Sequence, residues 1–203
     1  PESVNRALSS TGGTIAAAHA ICAAGPTGAT FSGHIAGGTH HAFADRGEGY
    51  CVFNDIAVAA AVALRDYPSS VRKVLVVDCD VHQGNGSARI FDGDDRVFTF
   101  SLHCEGNLFS AREASDLDVD LPVGTGDEGA VERCHPRWEA SPTYCTKSPV
   151  PEIPPVSRRG TLWTISRHPL RSRTKTLKTL RSFHRWLVRL LLLNDSNDVQ
   201  YVL

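Results

Sequence analysis

KVLVVDCDVHQGNG (residues 73–86) begins as the most strand-like run of the chain and turns polar at its end. Its first part, KVLVVDCDV (73–81), is apolar on both faces, which predicts a central strand of a parallel sheet rather than an alternating, half-solvated one. At the end come Asp78, Asp80 and His82, then a Gly-rich turn. Alternate side chains of a strand share a face, so these three can point the same way. The carboxyl end of a parallel strand is also where open α/β sheets build their sites. A solvated strand edge and a metal site are both open readings of the pattern. A carboxylate oxygen with an imidazole nitrogen suits zinc, which takes three protein ligands and keeps one open position for catalysis. Asp80 and His82, nearest the strand end, are the candidate ligands. Asp78 sits deeper and is placed to orient a neighbour.

Outward from this strand, helix and strand alternate. TGGTIAAAHAICAA (11–24) reads as a helix stopped by Gly25-Pro26, and ATFSGHIA (29–36) as a short strand. A long loop rich in Gly, His and aromatics follows, through residues 37–53. Asn54 or Asp55 then caps IAVAAAVALRDY, a helix closed by Pro68. SARIF (87–91) is a short helix, RVFTFSLH (96–103) a second buried strand, and DLDVDLPV (116–123) alternates as an edge strand would. The order predicts an α/β fold: an open, mostly parallel sheet with flanking helices.

Beyond residue 128 the composition changes. Residues 1–128 hold 8 Lys+Arg against 17 Asp+Glu, and residues 129–203 hold 13 against 5. Seven of the 11 prolines but only 2 of the 17 glycines fall in the second part. We therefore expect two regions, 1–128 and a basic, Pro-rich tail at 129–203, the tail irregular except for one basic amphipathic helix over 173–193. Such a tail could contact nucleic acid or an anionic membrane surface. Absence of Met and a start at Pro1 predict a sequence incomplete at its N-terminus. No secretory signal is evident, LVRLLLL (187–193) is too short to span a bilayer, and the six cysteines show no paired spacing. An intracellular chain with free thiols, in nucleus, cytoplasm or both, with an organelle the alternative, is the expectation.

His40 and His41 follow Gly37-Gly38-Thr39 in the long loop. Adjacent histidines alone mean little; two acceptors holding the two imidazoles in defined tautomers would change that. Asp78 and the amide oxygen of Asn85 could be those acceptors. A carboxylate partner raises a histidine's basicity more than an amide does, so the pair could divide base and acid roles.

GGTHHAFADRGEGYC (37–51) and VDCDVHQGNG (77–86), in this order with a helix between them, resemble the zinc-dependent histone deacetylases of the arginase/deacetylase superfamily, most of all the class IV branch and its plant and bacterial relatives. The resemblance covers about residues 30–128. It implies that Asp80 and His82 are two zinc ligands and that His40 and His41 are the active-site pair, with Asp78 the partner of His40 and Asn85 that of His41. Gly49 and Tyr50 match the wall of a narrow tunnel for an acyl-lysine side chain, and Cys51 beside it is a buried structural thiol. Asp78, Asp80, His82, Ser101 and Leu102 match an inner K+ site, and Phe91 and Val97 carbonyl donors of an outer one. The implied reaction is hydrolysis of Nε-acyl-lysine in proteins such as histones, with no nucleic-acid site in this part of the chain. Zn2+ would polarise the carbonyl and acidify a water, and the histidines would move the protons.

The family pattern then breaks. A third ligand in an A-G-x-D strand end and an oxyanion-holding tyrosine in a Gly-Gly-Tyr loop are expected further along. Residues 129–203 offer only Asp195 and Asp198, in a polar NDSND stretch, and Tyr144 and Tyr201 without a Gly-rich loop. The change at Gly129 suggests a shifted frame, a retained intron or an alternative exon. Impaired zinc binding, little activity and an unpaired strand edge in the middle of the sheet are the expectations. Three competing readings remain. An arginase-like enzyme would want a D-x-H-x-D run, where this chain has Gly84. An amidohydrolase of acylpolyamines or other small amides shares the motifs, and a non-catalytic binding variant would work through the tail.

Overall fold

The computed structural model describes residues 2–24, 31–139, 188–193 and 199–202. Helix α1 spans Glu2–Ala24, strand β1 Phe31–Ser32, α2 Asp55–Asp66, β2 Lys73–Asp78, α3 Asn85–Phe91, β3 Val97–Cys104, β4 Leu117–Leu121, α4 Asp127–Glu139, β5 Val188–Leu193 and β6 Val199–Val202. The sheet order is β1-β6-β5-β2-β3-β4. β2, β3 and β4 run parallel, with Val74 opposite Val97 and Phe100 opposite Leu117. The α/β fold with a parallel core is as expected, and β4 is the edge strand of that core.

The pleat of β2 explains the layers. Val74 and Val76 face one side, where they join Ile21 of α1, Ile56 and Ala60 of α2, and Phe91. Leu75 faces the other, with Phe98, Phe100 and Val119, and Cys134 of α4 packs there. Burial on both faces is why this strand is apolar at every position between Lys73 and Asp78. In α1 the buried residues Thr11, Thr14, Ala17, Ala18, Ile21 and Cys22 recur at helical spacing along one stripe. α2 presents Ala59 and Ala60, both fully buried, so the two helices can pack closely. Its start is set by Asn54, whose Oδ1 accepts from the Ala57 N–H at 3.0 Å. Its end is Tyr67, whose N–H reaches Ala63 O just before Pro68.

α1 begins well before residue 11. Gly12 and Gly13 therefore stand in its interior, and both are helical. A Cβ on Gly13 would collide with the His34 ring, so this glycine makes room for the loop that follows β1.

Two expectations for the C-terminal region are corrected. The tail is not irregular throughout: α4 runs across residue 128 and through Pro136, so the composition break there is no break in secondary structure. The basic helix expected over 173–193 is not helical in its last six residues. Val188–Leu193 is β5, antiparallel to β2 from Lys73↔Leu193 to Asp78↔Val188. A short apolar run such as VRLLLL suits helix or strand equally by period. Its register along β2 satisfies the backbone groups of both strands, which decides for the strand. The expected unpaired edge at β2 is therefore covered. Residues 173–187, where the rest of that helix was expected, lie outside the described residues, as does the NDSND stretch (194–198). Among the described residues no helix is long and apolar enough to cross a membrane.

Ile21→Ala should cost about 2–5 kcal/mol in urea unfolding, because Ile21 is fully buried between α1, α2 and the sheet. Gly12→Ala should instead stabilise by about 0.5–1 kcal/mol, since nothing lies within 4 Å of the added methyl in that helical position.

Candidate active site

The carboxyl end of β2, the following turn, the start of α3 and the loop over residues 37–51 converge on one place. Asp78, the last residue of β2, is almost completely buried. One of its oxygens lies 2.5 Å from His40 Nδ1, and the other accepts the Asp80 N–H at 3.0 Å. Gly84 is pressed against the same carboxylate; a Cβ there would overlap Asp78 Oδ2. Gly86 lies against the His40 and His41 backbone, 2.6 Å from His41 C and 2.7 Å from His40 O for an added Cβ. Gly84 thus makes room for the Asp78 carboxylate, and Gly86 lets the start of α3 meet the histidine loop backbone to backbone.

The histidine loop is tied down from beneath. Asn54 donates through Nδ2 to His40 O at 3.3 Å, Ala42 O at 3.1 Å and Ser87 Oγ at 3.1 Å. Asp55, fully buried, accepts from the Thr39 N–H at 2.7 Å, from the Thr39 hydroxyl at 2.6 Å and from the Thr14 hydroxyl at 2.6 Å. Sequence reading saw these two residues only as a helix cap. The missed signal was an Asn-Asp pair opening a helix whose buried face is otherwise nearly all alanine.

His40 and His41 are both buried, with ring centroids 4.0 Å apart. His41 Nδ1 lies 2.7 Å from Asn85 Oδ1. The pairings expected for the dyad, His40 with Asp78 and His41 with Asn85, are present in the structure. The two rings are tuned apart. Burial opposes charge on His40, but attraction and hydrogen bonding from Asp78 outweigh it and hold its pKa above the ordinary imidazole value. His41 is pushed below that value, first by burial and then by its neighbour His40. His40 is therefore the more basic of the two rings and His41 the less basic, which suits them to different proton-transfer roles.

Asp80 and His82 lie beyond the strand in the turn. Asp80 Oδ1 is 3.0 Å from His82 Nδ1 and 3.8 Å from His40 Nε2. An oxygen and an imidazole nitrogen side by side are zinc donors in kind, but a catalytic zinc takes three protein ligands. Among the described residues no group of three His, Cys, Asp or Glu side chains is placed to hold a metal ion. The residues present therefore fit a catalytic zinc only in part.

Asp78 and Ser101 stand opposite each other in the β2–β3 register, and the Ser101 hydroxyl meets His103 Nδ1 at 2.9 Å. Leu102 follows on β3, half-buried against the α4 side of the sheet. Phe91 ends α3 and Val97 starts β3, at the opposite end of the strand from the histidines. Glu48 and Cys51 close a tight turn through Glu48 N–H to Cys51 O at 3.0 Å and Cys51 N–H to Glu48 O at 2.8 Å. Its two central residues, Gly49 and Tyr50, have φ of 57° and 64°, as a type I′ hairpin turn requires. Positive φ is unusual for a bulky residue, and here it leaves the Tyr50 side chain fully exposed. Burial pushes the Cys51 thiol pKa up, which keeps it protonated and inert. Phe109, absent from the sequence reading, stands edge-on to His41 at 5.0 Å and to His82 at 6.0 Å. With Glu48, Gly49, Tyr50 and Ser110 it lines an open cleft of about 520 Å³. Its loop, CEGNLFSAREAS (104–115), carries no periodic signal, so only packing could bring it to the site.

Gly84→Ala and Gly86→Ala should each lose about 1–3 kcal/mol, because the added methyl meets a buried carboxylate in one and fixed backbone in the other. Gly126→Ala, with nothing within 4 Å, should stay within about 0.5 kcal/mol by the same urea titration.

The profile described as "Histone deacetylase domain" matches residues 1–137. An uncharacterized protein of Picosynechococcus sp. is 43% identical over 129 residues, 64% of this chain and 41% of that protein. Histone deacetylase 5 of Arabidopsis thaliana is 43% identical over 90 residues, 43% of this chain and 13% of its own length. The acetoin utilization protein AcuC of Staphylococcus aureus is 36% identical over 93 residues, 46% of this chain and 23% of its own. The chain thus spans less than half the length of each of these relatives. With a profile match over most of its residues, the chain belongs to the histone deacetylase domain family.

Proposed function

We propose that this site is the proton-handling half of a zinc-dependent hydrolase acting on Nε-acyl-lysine in proteins such as histones. The carrying observation is the pair of buried histidines, each fixed through Nδ1 by a different acceptor, Asp78 or Asn85. This leaves His41 Nε2 for chemistry, while His40 Nε2 faces Asp80 Oδ1 at 3.8 Å. In this reading His41 removes the proton of an attacking water and His40, held by Asp78, gives one to the departing lysine amine. Gly49 and Tyr50, with Phe109, form the wall that receives the acyl-lysine stem, an apolar chain suited to aromatic sides. Asp80 and His82 contribute two zinc donors, and Asp78, Ser101 and Leu102 with them hold a structural K+. Assignment to the class IV branch rests on the D-R-G-E-G-Y-C loop and the Q-G-N-G ending.

As a 203-residue chain, the protein is proposed to be impaired. Its sequence beyond residue 128 has neither the A-G-x-D ligand segment nor the Gly-Gly-Tyr loop. Two donors hold zinc weakly, and loss of an oxyanion donor alone costs about 10²–10³ in turnover. Residues 129–203 are proposed to be a region distinct from the deacetylase part.

Zinc quantitation after equilibrium dialysis, together with turnover of an acetyl-lysine peptide, tests the reading. The expected result is well under one zinc per chain and turnover at least about 100-fold below that of a complete family member. Stoichiometric zinc with full turnover would sink the proposed impairment.

A further inference from the structure

Asn85 is a neutral amide at a position whose job, in the reading above, is to hold a histidine in one tautomer. An amide can do that only if its oxygen, not its nitrogen, faces the ring. Asn85 Nδ2 lies 2.9 Å from Glu48 Oε1, 3.1 Å from Ser110 Oγ and 3.4 Å from Ala111 O. Glu48 is ionised: hydrogen bonds from Ser110 first, then from Asn85, keep its pKa below the usual carboxylate range. A carboxylate accepts only, so it selects the nitrogen side of the amide. By accepting a hydrogen bond from the Ser110 hydroxyl, Glu48 also leaves a Ser110 lone pair for Asn85 Nδ2. Both of the shorter contacts on the amide nitrogen therefore trace back to the same carboxylate. The weaker contact to Ala111 O points the same way. Asn85 Oδ1 is left facing His41 Nδ1 at 2.7 Å and can only accept from it.

We propose that Glu48 is a positioning residue, the remote carboxylate of a Glu48–Asn85–His41 chain that keeps the His41 proton on Nδ1 and its Nε2 open. Where Asp78 touches His40 directly, Glu48 acts on His41 through an intervening amide. The two histidines thus have a carboxylate each, one adjacent and one relayed. A relayed carboxylate orients the ring while placing less negative charge beside it, which leaves His41 the less basic of the two. The inference rests on the proposed hydrolase only for what the open Nε2 would do; the chain of hydrogen bonds stands without it.

The test uses the 203-residue chain and needs neither metal nor turnover. With 15N-labelled imidazoles, NMR should show wild-type His41 protonated at Nδ1 alone near neutral pH. In Glu48→Ala the two ring nitrogen signals should converge as the tautomers mix. The second arm is a thermal double-mutant cycle between Glu48→Gln and Asn85→Asp. In the wild-type background, E48Q should lower Tm by about 2–4 °C. In the N85D background two carboxylates would face each other, and E48Q should raise Tm by a similar amount, about 2–4 °C. A Glu48 that merely fills space would give E48Q the same sign in both backgrounds. The same sign in both, an unchanged His41 tautomer in E48A, or failure of the double variant to fold would each overturn the proposal. A failed deacylation assay would leave these readouts standing, so the two readings can fall separately.

Discussion

A single buried carboxylate organises this protein. Asp78 ends the central strand with almost no exposure, where an unpartnered charge would be costly to desolvate. It is satisfied by His40 on one oxygen and the Asp80 backbone on the other, so strand, histidine loop and the turn beyond the strand are joined at one residue. Gly84 has no side chain because that carboxylate occupies the space. The buried strand delivers the charge, and the charge dictates which residues can surround it.

The supports around it work in the same way. Asp55, fully buried at the start of α2, gathers the Gly38 and Thr39 backbone and the Thr14 hydroxyl of α1. Asn54 caps the helix with its oxygen and holds the histidine loop with its nitrogen. Gln83, also buried, ties the turn to the loop that carries Phe109 through Glu113 O at 2.7 Å, and to β4 through Asp118 Oδ1 at 2.9 Å. Each polar group makes several bonds, which suits a dry site where an unsatisfied donor or acceptor is expensive. The histidine pair is held in place by residues beneath it that are themselves hydrogen-bonded.

Much of this was legible from the chain. The apolar run 73–78 had to be a doubly buried strand, and Pro68 and Asn54 had to bound a helix. Asp78, Asp80 and His82 stood out because they end and follow a buried apolar strand, and the His40-His41 pair because two acceptors and the motif GGTHHAFADRGEGYC go with it. Less visible were Glu48, Phe109, Asp55 and Gln83. Their partners lie 16 to 37 residues away for the bonds to Gly38, Thr39, Glu113 and Asn85, and no local period marks such contacts. The end of the tail was misread for a related reason. VRLLLL has no preference that period can reveal, and the open edge of β2 made it a strand.

By itself, the sequence determined most of the helices and strands of the core, and which residues make up the candidate site. Those follow from local periodicity, capping and the two long motifs. Only the tertiary structure decided how the histidines are tuned apart, which carboxylate stands behind the Asn85 amide, and what covers the edge of β2. Tuning depends on burial and on distances of a few ångströms between side chains far apart in the chain. Those distances exist only once the sheet and its loops have packed.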